Sequence, residues 1–239
     1  MKFPSALRRG RLVQRYKRFL ADVTLDDGTA LTATCPNTGA MLGLTTPGST
    51  VWLSHSGKAS RKYAHTWEMV EADPGSGPTL VGINTGHPNA LVGEAINSAR
   101  IPEVAGYASL RREVRYGVNS RVDILLEDMA KGLCYVEIKN VHLMRTPGRA
   151  EFPDSKTERG VKHLAELSAM VSEGHRAVMI YLIQRADAQT FSLAADIDGA
   201  YAKAAAQAAL AGVEMLAYRC SLSPEEILVD KRIDIEPPA

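Results

Sequence analysis

Two carboxylates and one lysine occupy consecutive strand-like segments. The chain reads Arg121-Val122-Asp123-Ile124-Leu125-Leu126-Glu127, then a polar turn, then Cys134-Tyr135-Val136-Glu137-Ile138-Lys139-Asn140. Side chains alternate faces along a strand, so Glu137 and Lys139 share one face while Val136 and Ile138 take the other. The first segment alternates likewise, with Val122, Ile124 and Leu126 inward and Asp123 opposite. The connector Asp128-Met129-Ala130-Lys131-Gly132 is short enough for a hairpin. Pairing symmetric about Ala130 sets Asp123 across from Glu137. Opposed like charges destabilise a ladder, and a divalent cation compensates them. Oxygen ligands favour Mg2+ or Mn2+ over zinc, with the Ile138 backbone carbonyl as a third donor beside Asp123 and Glu137.

The order Asp, thirteen residues, Glu, one residue, Lys is the sequence form of the PD-(D/E)xK nuclease core. The chemistry is consistent with it. Phosphodiester hydrolysis uses a metal that polarises a phosphoryl oxygen and acidifies a water. A cation such as Lys139 orients that water or stabilises the developing charge. The same residues also fit a surface hairpin with an ordinary Glu–Lys pair, because short patterns of common residues recur by chance.

The 239 residues allow one large domain or two small ones. A hydrophobic fraction of 45% and a charged fraction of 23% are globular values. The net charge of +1 gives no global basic field, yet residues 1–73 carry ten Lys/Arg against six Asp/Glu. Such local asymmetry points to a polyanion. Cys35, Cys134 and Cys220 are too few and too far apart for a disulfide framework or a zinc ribbon, which fits a reducing cytoplasm. Basic residues near the start precede no apolar stretch, so no secretory signal is expected, and no run approaches the ~20 apolar residues of a membrane helix.

Residues 1–75 read as an OB-like β-barrel. Short alternating runs at 12–16, 19–25, 30–34, 50–54 and 65–70 are broken by turn signals such as Asp26-Asp27-Gly28 and Thr46-Pro47-Gly48. A small β domain without a ligand fits the same pattern. Asp73 to Pro78 reads as a linker. The second domain, 82–239, opens with a helix over 88–99 that Asn89 caps and that carries Glu94 beside its apolar stripe. Strands follow near 112–118, 121–127 and 134–141. Ser155-Lys156-Thr157-Glu158 matches a capping box, and Gly174 is the expected stop of the helix it opens. The apolar run 177–184 reads as a strand buried on both faces. Asp198 caps an alanine-rich helix ending near Gly212, and 213–220 is a last strand. The fold class is two-domain α/β (α+β): an N-terminal OB-like barrel and a C-terminal PD-(D/E)xK nuclease-like domain.

Several segments together resemble the SfsA family, the sugar fermentation stimulation proteins. They are Cys35-Pro36-Asn37-Thr38-Gly39-Ala40-Met41, Arg61-Lys62-Tyr63-Ala64-His65-Thr66-Trp67-Glu68, Asn84-Thr85 followed by Pro88-Asn89-Ala90-Leu91-Val92, Ser120-Arg121-Val122-Asp123, Val136-Glu137-Ile138-Lys139-Asn140-Val141, Phe152-Pro153-Asp154 and Arg159-Gly160-Val161-Lys162-His163-Leu164. They run in order over nearly the whole chain. One departure is Gly199, where the family more often has proline. The resemblance implies an OB-like domain joined to a nuclease-like domain, with DNA binding, a link to sugar (maltose) metabolism, and nuclease activity.

The catalytic candidates are therefore Asp123, Glu137, Lys139 and Glu94, the last binding metal through water or lying on the surface. Arg159 and Lys162 are phosphate candidates, since they open a helix whose N-terminus favours anions. Gln184 and Arg185 end the buried strand and are expected to point toward the same cleft. Arg61, Lys62, Tyr63 and Trp67 mix basic and aromatic groups as single-strand binding surfaces do, although Trp67 equally suits the barrel core. Arg8, Arg9 and Arg11 are backbone-contact candidates or an ordinary charged strand edge. His163 is assigned to packing or hydrogen bonding. The expected partner is DNA or RNA, with a homodimer left open and no membrane. The rival to a metal-dependent nuclease is a non-catalytic DNA-binding regulator. An enzyme acting directly on sugar fits poorly, because no acid/base carboxylate pair remains unused and no phosphate-binding glycine motif is present.

Overall fold

The computed structural model describes residues 1–58, 60–117 and 120–237. Val118, the end of the strand expected over 112–118, lies outside them, as do residues 59, 119, 238 and 239.

The N-terminal strands are β1 (Arg8–Tyr16), β2 (Leu20–Leu25), β3 (Ala30–Thr34), β4 (Thr50–His55), β5 (His65–Ala72) and β6 (Thr79–Gly82). Alternation turns Leu12, Val23, Val51, Leu53 and Val70 into one core. Antiparallel pairing runs β3-β2-β1-β4-β5, and a short parallel pairing of β3 with β5 closes the barrel. This is the OB domain. The segment expected as a linker is a tight turn instead. Asp73 Oδ1 accepts the N–H groups of Gly75 (2.7 Å) and Gly77 (2.9 Å), and β6 then pairs with β5. The first domain's sheet thus continues to residue 82.

The C-terminal elements are α1 (Pro88–Asn97), β7 (Ser109–Tyr116), β8 (Ser120–Asp128), β9 (Gly132–Val141), β10 (Leu143–Thr146), β11 (Arg149–Phe152), α2 (Glu158–Ser172), β12 (Arg176–Ile183), β13 (Thr190–Leu193), α3 (Gly199–Leu210), β14 (Glu214–Leu222), β15 (Ile227–Arg232) and β16 (Asp234–Glu236). The central sheet is ordered β15-β14-β12-β9-β8-β7, with β9, β12 and β14 parallel. α1 buries Leu91, Val92, Ala95 and Ile96 against one face, with Ile124, Val136 and Ile180. α2 and α3 bury Leu164, Leu167, Tyr201 and Ala205 against the other, with Leu125, Met179 and Tyr181. Strand β12 is covered on both sides, as its uninterrupted apolar run requires. This is the nuclease-like α/β domain. A second sheet, β10-β11-β13-β16, was not expected, because its strands are at most four residues long and carry little periodicity.

The helix ends sharpen the sequence reading. Thr157, rather than Ser155, caps α2 and accepts the Gly160 N–H. Asp198 caps α3 as expected, and its second oxygen holds the Thr157 N–H at 2.8 Å, tying the two helix starts together. Gly174 follows α2 at φ +87°, a left-handed conformation suited to glycine. Asn89 does not cap α1. His87 precedes the helix with no side-chain cap, Pro88 takes the first turn, and the Asn89 amide turns away from the backbone.

The domains meet through buried polar contacts. The Asn37-Thr38-Gly39 segment is both a turn and a joint. Asn37 Oδ1 accepts the Gly39 N–H, and the Met41 N–H donates to Asp154 at 3.1 Å. A Cβ on Gly39 would stand 2.8 Å from the Asp154 carboxylate, so the close approach needs glycine. Glu68, buried in β5, accepts from Ser54, Asn84 and His87, the last at 2.8 Å. Among the described residues no helix is long and apolar enough to cross a membrane. All three cysteines are free and buried.

Burial raises the Asp154 carboxyl, but the His142 hydrogen bond and charge, with the Met41 N–H, hold it down at about 2. A carboxyl lowered on folding stabilises above its ordinary value of 3.8 and loses that contribution as pH falls through 2. The contribution is worth about 2 kcal/mol at neutral pH, and about half is gone near pH 3. In urea titrations the stability gap between wild type and Asp154→Asn should therefore narrow by about half between neutrality and pH ~3. A pH-independent gap would show that charge is not what holds the joint.

Candidate functional site

A cleft of about 620 Å3 opens where α1, α2 and strands β7 to β9 meet. Asp123, Glu137, Ile138, Lys139 and Arg159 line it together with Asn89, Arg112, Glu113, Asn140 and His163. The sheet itself creates the opening. The β8–β9 ladder is regular down to Ile124↔Val136 and stops there. Asp123 then stands in for a backbone partner, its Oδ2 accepting the Ile138 N–H at 2.7 Å. Its Oδ1 accepts from Asn89 at 2.9 Å, and the same amide reaches Glu113 at 3.1 Å. Glu113 adopts φ +54°, and on either side of Asp123 the strand changes face, with Val122 in the α2-side core and Ile124 in the α1-side core. The expectation that Val122, Ile124 and Leu126 share one face is thus corrected: alternation breaks at the carboxylate that interrupts the ladder.

Glu137 is 2% exposed on the cleft floor. Its Oε1 receives Lys139 Nζ at 2.9 Å and contacts His163 Nδ1. Its Oε2 is buried with no hydrogen-bond partner among the described residues. Burial pushes the Glu137 carboxyl up, but the His163 hydrogen bond and the Lys139 charge outweigh it and leave it below the ordinary value. Asp123 moves the other way. Burial and the Glu137 charge raise it, and the Ile138 N–H and Asn89 offset only part. A cation between the two would relieve their repulsion and satisfy the orphan Oε2. Oxygen donors on a buried floor fit a hard divalent ion, although no ready-made cluster of three or more His, Cys, Asp or Glu groups exists among the described residues.

Other sequence-predicted positions lie elsewhere. Glu94 is half-exposed and pairs with the Met1 amino group at 3.0 Å, outside the cleft. Five residues beyond Asn89, it is turned about 140° around α1, so the two cannot face the same cleft. Arg185 is buried, forked onto Asp187 at 2.7 and 2.8 Å and bonded to the His142 carbonyl, which removes it from any nucleic-acid surface. Gln184 stops one layer short, donating to Asn140 at 2.7 Å. Trp67 is wholly buried in the barrel, its indole N–H on the Met69 carbonyl, so it fills the core and cannot stack on a base. Lys162 is exposed, 3.7 Å from Glu166, and does not line the cleft.

The barrel positions stay at the surface. Arg8 pairs with Asp27 at 2.8 Å and Arg9 with Asp26 at 3.9 Å, while Arg11 donates to Thr50. Arg61 reaches Thr34 and Thr66, and Lys62 Nζ lies 5.4 Å from the Tyr63 ring centre. Glu113, Asn89 and His163 were not singled out for the site. In the β7–β8 register Arg112 pairs with Ile124 and Val114 with Val122, which brings Glu113 opposite Asp123.

Comparison with known proteins agrees with the fold. Residues 13–83 match the family model "SfsA N-terminal OB domain" and residues 86–226 the model "Sugar fermentation stimulation protein RE domain". A sugar fermentation stimulation protein homolog of Azorhizobium caulinodans is 58% identical over 229 residues, covering 96% of this chain and 97% of the relative. A homolog of the same name from Rhodospirillum centenum is 58% identical over 98% of both chains. The solved structure of Pyrococcus furiosus SfsA in complex with Ca2+ superposes with a TM-score of 0.86 at 26% identity, over 99% of this chain and 98% of that one. With both family models matched in order and relatives aligned end to end, the chain belongs to the sugar fermentation stimulation protein (SfsA) family.

Proposed function

We propose that this protein is a divalent-metal-dependent nuclease that binds nucleic acid across its OB barrel and cleaves phosphodiesters in the cleft. The observation that carries this reading is Glu137 Oε2, buried and unpartnered on the cleft floor beside Asp123 and Lys139. A pure binder of a phosphate backbone gains nothing from two buried carboxylates. Asp123, Glu137 and the Ile138 carbonyl would hold Mg2+ or Mn2+, and a hard divalent cation is in keeping with the Pyrococcus furiosus relative having been solved in complex with Ca2+. Such an ion supplies Lewis-acid polarisation of the phosphoryl oxygen and acidifies the attacking water.

The chain's own groups do the rest. Lys139, 13% exposed at its side chain, places its ammonium beside Glu137, where it orients water or meets charge developing on phosphorus. Arg159 lines the cleft at the start of α2, next to backbone N–H groups that favour an anion, and is the phosphate contact. Arg112 faces the cleft from β7. On the barrel, Arg8, Arg9, Arg11, Arg61, Lys62 and Tyr63 are exposed or half-exposed and offer a path for the strand. The reading also sets the protein in the cytoplasm, where its substrates and a reducing environment for the free cysteines coincide.

The deciding experiment is Mg2+- and Mn2+-dependent cleavage of labelled single- and double-stranded DNA and RNA by wild type, Asp123→Ala and Glu137→Ala. Metal-dependent cutting should be present in wild type and lost, by about a thousandfold or more, in both variants. Tight binding with no cutting by wild type would instead make the protein a DNA-binding regulator. Lys139→Ala should abolish cleavage while leaving Mn2+ affinity within about threefold. Cutting at the wild-type rate would remove Lys139 from the mechanism. Arg159→Ala should weaken nucleic-acid binding and lower the salt slope by about one, whereas Lys162→Ala should leave both unchanged. Equal effects of the two would show that the cleft geometry does not select between them.

A further inference from the structure

His163 is joined to three cleft residues at once and belongs to none of the acidic or lysine positions. It lies on α2, 4% exposed, wedged between the helix and β9. Its Nδ1 contacts Glu137 Oε1 and lies 3.4 Å from Lys139 Nζ. Its Nε2 accepts from Arg159 Nε at 3.2 Å. An arginine nitrogen can only donate, so Nε2 must be the bare nitrogen and Nδ1 carries the proton toward Glu137.

We infer that His163 is the positioning residue of the site, pinning Glu137 Oε1 through Nδ1–H so that Oε2 stays turned into the cleft. The inference rests on the metal-binding reading above. A glutamate side chain has three rotatable bonds, and a buried carboxylate oxygen without a partner would otherwise rotate toward the nearest donor. Lys139 alone cannot prevent this, because its ammonium rides on a flexible four-carbon stem. The imidazole can, being a rigid ring packed into the helix–sheet interface. Arg159, one helical turn earlier on the same face, locks the tautomer that makes Nδ1 the donor. The residue that contacts phosphate in the proposed mechanism thereby also sets the orientation of a metal ligand. Outer partners of this kind typically change metal affinity 10- to 100-fold.

Side-chain mimicry separates this role from packing. The Asn amide N–H reaches the position of Nδ1–H, whereas the Gln amide reaches that of Nε2. Calorimetric Mn2+ titration of the full chain should show His163→Asn within about threefold of wild type, and His163→Gln and His163→Ala weaker by about tenfold or more. In wild type, nitrogen-15 histidine spectra, with His163 assigned from its through-space contacts in the wild-type protein, should show the Nδ1–H tautomer, a readout that depends on no variant's stability. An Nε2–H tautomer, His163→Gln equal to His163→Asn, or His163→Ala binding as wild type would each overturn the role. If wild type binds Mn2+ with this order of variants but cuts no nucleic acid, the nuclease reading falls and the positioning role stands. If wild type cuts and His163→Ala matches it in affinity and rate, the reading stands and the positioning role falls.

Discussion

The constraint on which the site depends is the burial of the Glu137 carboxylate between β9 and the facing helix α2. Moving a carboxylate out of water is costly unless charge and hydrogen bonds replace the lost hydration. Here a lysine two residues on and a histidine from the facing helix supply both to one oxygen, and the second oxygen is left bare. The arrangement requires α2 to lie against β9 in one register, because His163 and Arg159 must both arrive at the cleft. The link between Thr157 and Asp198 sets that register, joining the starts of α2 and α3 through one buried side chain.

Asp123 solves a related problem differently. It accepts a strand N–H that would otherwise go to the neighbouring strand, so the ladder parts at the cleft. The break costs little, because the displaced N–H keeps an acceptor. It also explains the irregular backbone of Glu113 on the next strand, which must leave room for the same opening. Asn89 bridges Glu113 and Asp123 and so connects the first helix to the gap.

That helix begins at the joint between the domains. His87, just ahead of Pro88, bonds to Glu68 of the barrel, and Asn84 bonds to the same carboxylate. Burial raises the Glu68 carboxyl, and the hydrogen bonds from His87, Ser54 and Asn84 more than offset it, leaving a carboxylate that holds the barrel to the start of α1. The basic groups on the barrel are held loosely by comparison. The exposed pairs Arg8–Asp27 and Arg9–Asp26 are of the kind that contribute little in water.

The sequence by itself determined the longer elements and most of what depends on the faces of a single one, the short strands of the second sheet and the face change at Asp123 excepted. Period-two alternation placed the barrel strands, an unbroken apolar run marked β12, and hairpin symmetry brought Asp123, Glu137 and Lys139 to one end of one sheet. Asp198 and Gly174 marked helix ends because their local backbone chemistry is self-contained. Only the tertiary structure decided which faces meet. Glu94 shares a helix with Asn89, but a helical turn carries it to the amino terminus instead of the cleft. Trp67 and Arg185 have the chemistry of nucleic-acid contacts, yet burial commits one to the barrel core and the other to Asp187. His163 read as a packing or hydrogen-bonding residue, and nothing within α2 marks which partners it takes. Its role arises from a strand 26 residues away in the chain. Periodicity is a property of neighbours in sequence, whereas a site is assembled by long-range packing, and residues gathered from separate elements leave little local pattern to read.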